Sequence, residues 1–301
     1  MTKTTSGVML ALLFAGPPPA GAQQRIEQRW PLEPHGSVRI VNPFGTIRVM
    51  GWDSDSLGVS ARLAPRIAKF STTGDTSVRK LWVDVSPQAG EAGRADLTVH
   101  VPRAVNLWVK SIAADIAVEG VDGVLDLNSV SGAIHVLGTP QDVTAETMLG
   151  DVEIAGGTGR ARVKTVSGGV LLRGASADLG ASTLSGSIVV RAAGWQRGGT
   201  GVQRGKFESV TGGIHFDGEL GRGGVVELES QGGSIEIRVP ANTIVDFDAL
   251  TIAGTITNTL SREQPRSGAG TSGAKLRFST GVGGAQVTVR SFKGNILLEP
   301  K

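Results

Sequence analysis

Paired carboxylates are the first residues in this chain whose types and spacing could do chemistry. Asp126, Glu146, Asp151 and Glu153 fall on neighbouring copies of a repeated strand. Two acids at a fixed separation can break a glycosidic bond, one protonating the leaving oxygen while the other attacks or activates water. A carbohydrate-active parallel β-helix enzyme, a polysaccharide lyase or hydrolase, is therefore one reading. Against it, the outward rows also carry Thr144, Arg162, Gly180, Lys164 and Ser182. Mixed charge with hydroxyls and glycine is the make-up of a solvated surface.

A second group is cationic and aromatic: Arg191, Trp195, Arg197, Arg204 and Lys206, in and around the insertion 192–206. An indole among cations on a loop can stack on a sugar or grip an acidic polymer. The plainer reading is a Trp195 that folds back and packs locally.

Other motifs each fail at a named position. GGTGRARVK (156–164) and GGTGVQRGK (198–206) open like calcium-binding nonapeptides, but Ala161 and Gln203 stand where the ligand Asp belongs. DSDSLG (53–58) starts like an EF-hand loop, with Leu57 and Ala64 at ligand positions. GVQRGKF (201–207) is one residue short of a phosphate loop and has Phe207 in place of the magnesium-binding hydroxyl. Ser77 to Lys80 matches S-x-x-K without its partner motifs. His135 and His215 share one place in two repeats, but no third ligand repeats with them. The expectation is a protein without metal or cofactor.

The elements that must position all these residues are repeats. SIAADIAVEG (111–120), SVSGAIHVLG (129–138), TMLGDVEIAG (147–156), TVSGGVLLRG (165–174) and TLSGSIVVRA (183–192) place Ala114, Gly132, Gly150, Gly168 and Gly186 at 18-residue intervals. Looser copies at 209–218, 230–240, 251–258 and 291–299 add Gly212, Gly233, Gly254 and Gly294, and NPFGTIRVMG (42–51) is an earlier copy.

Ahead of each Ser or Thr runs a short alternating segment. In the 18-residue register Leu125, Val143, Ala161 and Leu179 align, as do Leu127, Ala145, Val163 and Ala181. After the glycine, Ile134, Val152, Val170 and Ile188 align, then Val136, Ile154, Leu172 and Val190. Period-two alternation with one apolar face marks a half-buried strand. One such unit cannot bury its face alone, but units stacked at about 4.8 Å cover a continuous thin core. The glycine marks a bend where a Cβ would clash or φ must be positive. The Ser/Thr row would form a hydroxyl ladder that satisfies backbone groups there. The expected fold is all-β, a parallel β-solenoid or β-helix with coils of 18 residues.

Residues 23–110 hold the early copy and candidate strands SLGVSARL, LWVDVS and DLTVHVP, and the segment APRIAKFSTTGDTSVRK fits a loop or a short helix. This region is expected to cap the repeats of 111–301 within one continuous domain, since an open strand edge templates aggregation. Trp52 and Trp108 read as packing residues of that cap. The Gly-rich insertions 192–206 and 260–281 read as mobile surface loops.

Composition narrows the class. Glycine supplies 44 of 301 residues and Tyr is absent. The absence of cysteine excludes disulfides, thiolate sites and a lipidated N-terminal Cys. The net charge of +3 is spread along the chain, which lacks the footprint of a nucleic-acid binder. Residues 1–22 read as a signal peptide: Lys3, an apolar run from Val8 to Ala15, and Ala20-Gly21-Ala22 before a cleavage at Gln23. Eight apolar residues are too few to span a bilayer, which takes about 20. The expected location is the periplasm, or the cell surface and beyond.

Three stretches carry a family resemblance: VNPFGTIRVMGWDSDSLGVSARL (41–63), VPRAVNLWVKSIAADIAVEGVDGVLDLNSVSGAIHVLG (101–138) and GGAQVTVRSFKGNILLE (283–299). They resemble the bacterial β-strand-repeat proteins of unknown function labelled putative adhesins, and the likeness covers nearly all of 37–299. The resemblance implies a β-solenoid in the cell envelope and brings no catalytic residues with it. The function expected is a non-enzymatic envelope scaffold, an adhesin or polysaccharide-binding protein, whose partner is an envelope polysaccharide or an envelope protein. The alternatives are the β-helix enzyme and a signalling accessory that binds a membrane protein.

Overall fold

A computed structural model describes residues 24–64, 68–86, 88–174, 176–192, 201–267 and 273–301. The expected signal peptide lies outside them, as do Trp195 and Arg197. The described residues form two long, mostly parallel sheets of 13 and 14 strands, and each coil gives one strand to each sheet. The protein is an all-β solenoid.

The 18-residue register is the pairing register. Leu125 pairs with Val143, Val143 with Ala161, and Ala161 with Leu179 on one sheet. Ile134, Val152, Val170 and Ile188 pair in the same way on the other. These rows face inward and are almost fully buried, so the core is a thin aliphatic seam between the sheets. Phe207 and Phe216 widen it where they meet, with ring centroids 6.1 Å apart.

The T-x-S-G turn is held in two ways. The hydroxyls of Ser111, Ser129, Thr147, Thr165, Thr183, Ser230 and Ser291 each accept the N–H three residues on, at 2.6–3.1 Å. The turn glycines lie outside the left-handed φ region. What demands glycine is close approach: a Cβ on Gly150, Gly168, Gly186 or Gly212 would overlap the carbonyl oxygen of the turn residue one coil earlier. Of the two reasons for glycine open from sequence, a clash decides.

At both ends, order in space departs from order in sequence. The coil of Ser37–Val41 and Gly45–Trp52 is sandwiched between the later strands Val78–Val85 and Ala95–Pro102 on one side and Asn106–Lys110 and Asp115–Glu119 on the other. At the far end the last coil, Ala285–Ser291 and Ile296–Pro300, inserts between the two preceding coils. It pairs with Leu220–Ser230 and Ile235–Val239 on one side, and with Val245–Thr251 and Ile256–Asn258 on the other.

Antiparallel strands finish the stack: Gln24–Pro31, Ser56–Leu63 and Ala68–Gly74 at one end, Ala274–Ser279 and Arg266–Ser267 at the other. Three loop expectations are thereby corrected. The segment 64–80 supplies Ala68–Gly74, which forms a hairpin with Val78–Val85. The insertion 192–206 contains most of the strand Val202–Ser209, drawn in by buried Val202 and Phe207. The insertion 260–281 supplies Ala274–Ser279, anchored by buried Ala274 and Leu276.

At the N-terminal end Arg79 occupies the inward row beside Val38. It is 9% exposed, its guanidinium lies 5.3 Å from the Trp30 ring, and its Nε has no hydrogen-bond partner. Trp52 stacks on His100 with centroids 5.1 Å apart and donates its indole N–H to the Ser56 carbonyl at 2.8 Å. Trp108 is half-buried on the outer face, paired with Arg39 and Asp126.

Candidate binding surface

In a parallel stack, identical side-chain positions recur every ~4.8 Å, so like charges on adjacent coils would repel. The outer face of the 14-stranded sheet solves this by alternation. Across successive coils one row reads Asp142, Arg160, Asp178, Arg204.

Around Asp178 the balance tips. Arg162 Nη2 donates to Asp178 Oδ1 at 2.7 Å, Arg204 Nε to Oδ2 at 3.2 Å, and Arg160 Nε lies 3.7 Å from Oδ2. Three guanidiniums thus converge on one carboxylate that is only 8% exposed. Burial pushes this carboxyl up, but Arg162 and Arg204 outweigh it and hold it below its ordinary value. Gly180 makes the geometry possible: a Cβ there would come 2.9 Å from Arg162 Cδ, so the arginine lies across a gap in the side-chain layer. Lys206 adjoins the patch, and its hydrogen bond with Glu208 raises it above its ordinary value. A groove lined by Arg162, Asp178, Arg204, Lys206 and Glu227 runs along this surface. Each guanidinium has five N–H donors, and one carboxylate engages few of them. The remainder can take carboxylate, sulfate or phosphate groups from solution.

The acids singled out from sequence do not form one site. Asp126 and Glu146 lie on this sheet, where Asn128 donates to Asp126 at 2.6 Å and Lys164 pairs with Glu146 at 3.4 Å. Glu153 lies on the other sheet, and Asp151 just ahead of the same strand, Val152–Gly156. Asp151 accepts the Gly169 N–H at 2.7 Å, and Glu153 pairs with Arg173 and with His135 at 3.6 Å. His215 repeats that arrangement with Glu236 at 2.9 Å, and Arg238 lies 2.6 Å from the same carboxylate. Among the described residues no group of three or more His, Asp or Glu is arranged to hold a metal.

A third surface lies along the turns. The residue after the Ser or Thr is apolar and exposed on seven coils: Ile112, Val130, Met148, Val166 and Leu184 in succession, and beyond them Phe292 and Ile252, all 39–53% accessible. Backbone bonds tie the turns together, as from Met148 N–H to the Val130 carbonyl at 3.0 Å. The result is an apolar ridge along one edge, interrupted by Gln231.

No family profile matches the chain, and no curated protein does. Solved structures do. A putative adhesin from Bacteroides fragilis is 11% identical, with 92% of this chain and 97% of that one covered and a TM-score of 0.45. A putative adhesin from Parabacteroides distasonis is 9% identical over 93% and 98%, TM-score 0.41. A putative lipid binding protein from the same species is 11% identical over 93% and 98%, TM-score 0.39. In these comparisons the chain is similar to bacterial putative adhesins and to a putative lipid binding protein.

Of the five cationic and aromatic candidates, Arg204 and Lys206 come together, on a strand and not on a loop. Arg191 lies on the opposite sheet, in register with Arg173 and Asp217. Arg160 and Arg162 complete the patch and were missed, although their alignment with Asp178 and Gly180 is readable from the 18-residue period. The ridge was missed too. Its signal is one apolar column outside the strand alternation, in residues already aligned.

Proposed function

We propose that the protein is an exported, non-enzymatic scaffold of the cell envelope that binds acidic polysaccharide through the patch of Arg160, Arg162, Arg204 and Lys206. The observation that carries this reading is the convergence of three guanidiniums on Asp178. Arg160 also lies 3.5 Å from Asp142 and Lys206 pairs with Glu208, so what the patch offers is the guanidinium N–H donors that these carboxylates leave over. Planar guanidiniums match carboxylate and sulfate groups geometrically. Repetition along a flat sheet suits a polymer better than a small ligand. The outward carboxylates named above sit against cations, a backbone N–H or, for Asp126, the Asn128 amide, which suits a binding face rather than an acid–base pair.

The test is an affinity measurement of the purified protein on a polyuronate and on a neutral glucan, with Arg160→Gln/Arg204→Gln as the variant. Arg162 remains to pair Asp178, so the fold is kept. The expected result is polyuronate-selective, salt-sensitive binding that the variant weakens about tenfold, in keeping with the loss of two charge-assisted contacts. Equal retention on both polymers, or an unaffected variant, would sink the proposal.

A further inference from the structure

At the N-terminal end of the 14-stranded sheet the charge alternation of the outer face breaks down. Arg39 and Lys80 stand directly opposite each other on the neighbouring strands Ser37–Val41 and Val78–Val85. Lys110 lies on the next strand, Asn106–Lys110, opposite Val41. All three are exposed, and among the described residues their side chains form no ion pair or hydrogen bond. Like charges about 4.8 Å apart on adjacent strands repel. Arg160 and Arg204 are spared this by Asp178 between them, but Arg39 and Lys80 have nothing between them.

The same strands hold two outward tryptophans. Trp82 is opposite Val41 and Trp108 is opposite Arg39, and both are half-buried. Trp82 donates its indole N–H to Asp84, two residues along the same face, at 3.0 Å, so its ring leans along the strand. Neither indole belongs to the seam between the sheets. Large aromatic side chains beside unpaired cations are the make-up of a binding surface.

We propose that this end of the sheet is a second saccharide site, in which Trp108 and Trp82 stack on sugar rings and Arg39, Lys80 and Lys110 hold their carboxylates. The proposal rests on the reading of the protein as a binder of acidic polysaccharide and extends it. The C–H face of a pyranose packs on an indole as other apolar surface does, and a guanidinium matches a carboxylate. The two indoles are two strands apart, roughly 10 Å along the stack. A sugar in an extended chain advances about as far as one strand, so one chain reaches both rings.

The site is collinear with the first patch. The outward row of Lys80, Arg39 and Trp108 continues through Asp126 and Thr144 to Arg162, Gly180 and Lys206. From Lys80 to Lys206 it covers roughly 34 Å at about 4.8 Å per strand. A chain laid along it engages cations at both ends, and the second contact is made at high effective concentration. Between them Asp126 and Thr144 offer oxygens to sugar hydroxyls. An anionic bilayer is the weaker fit, because both indoles are half-buried on a flat sheet and Asp84 and Asp126 stand beside them.

The test uses the purified protein with polyuronate and with oligouronides of defined length. Arg39→Gln/Lys80→Gln, a change of exposed side chains only, is expected to bind polyuronate about tenfold more weakly. Trp108→Ala should lose about fivefold at an unchanged urea midpoint, while Trp108→Phe keeps its affinity. Wild-type affinity should climb steeply once the oligomer passes about seven sugars, and Arg39→Gln/Lys80→Gln should abolish that climb. If Arg160→Gln/Arg204→Gln weakens binding but Arg39→Gln/Lys80→Gln leaves it unchanged, the second site is overturned and the first stands. A wild-type protein that does not bind polyuronate at all fails the reading on which both rest. Binding to vesicles of anionic phospholipid that Trp108→Ala removes, with polyuronate affinity untouched, overturns the site in favour of a membrane surface.

Discussion

The carbonyl oxygen of Gly168 occupies the space into which a Cβ on Gly186 would project, and Gly168 stands in the same relation to Gly150. The turn column is therefore an unbroken backbone stack in which each glycine makes room for the coil before it. Neither partner in the contact is a flexible side chain, so nothing can swing aside. Gly186→Ala is expected to destabilise the protein by roughly 3 kcal/mol, the upper end of what overpacking costs. Urea unfolding beside the exposed control Ser185→Ala measures it. A loss under 1 kcal/mol would mean that the stack can shift as a body.

Thr165 tests the hydroxyl ladder. Its Oγ1 accepts the Gly168 N–H at 3.0 Å in a buried turn. Valine has the same shape and no acceptor, so Thr165→Val should cost about 1–2 kcal/mol, as a buried donor left unpaired does. Thr165→Ser keeps the oxygen and should cost less. Equal urea midpoints for the two variants would remove the ladder from the account.

Acid should loosen the solenoid at its outer face. Asp178 and Asp248 are both pushed up by burial and brought below the ordinary carboxylate value by arginines, Arg162 and Arg204 for the first, Arg277 and Arg290 for the second. A carboxyl whose folded pKa is depressed stabilises the protein fully above its unfolded value, about 3.9 for Asp. That contribution is lost as pH falls through the folded value. The urea midpoint should therefore hold from neutrality to about pH 4 and fall below it. Asp178→Asn/Asp248→Asn should start lower at neutrality and show a shallower acid decline. An unchanged acid slope would place the titration elsewhere.

Trp30 is expected to guard one end of the seam. It shields the inward Arg79, which stands where every interior coil has an apolar residue or glycine. Trp30→Ala should cost about 2 kcal/mol, less than a fully buried tryptophan because the ring is partly exposed. Amide exchange should rise first in Val78–Val85 and the neighbouring Ser37–Val41. Loosening spread evenly over all coils would argue against a terminal role.

Much of this fold was legible because its unit is short and its register constant. Once Leu125 and Val143 were aligned, every interior row followed, inward or outward, and the Ser/Thr and glycine columns fell into place. The ends were not legible. Each coil carries the same two-residue alternation, so nothing local in 285–300 says that it pairs with both 220–239 and 245–258. Composition misled at 202–209 and 274–279, where glycine-rich surroundings hid Phe207 and Leu276. The cationic patch was half legible: Arg204 and Lys206 stood out beside Trp195, while Arg160 and Arg162 acquired meaning only beside Asp178 and Gly180.

The last coil has a bearing on how the chain comes into being. A polypeptide emerging N-terminus first can lay coil on coil as it appears, each new strand docking on the one just made. Here that simple accretion fails, because residues 285–300, made after 245–258, belong inside the stack and not on top of it. Until they arrive, the strands Leu220–Ser230 and Val245–Thr251 each keep one unmated edge. The coil of 285–300 is a keystone: a molecule lacking it would be split within the stack, with two sticky edges facing each other, and not merely one coil shorter.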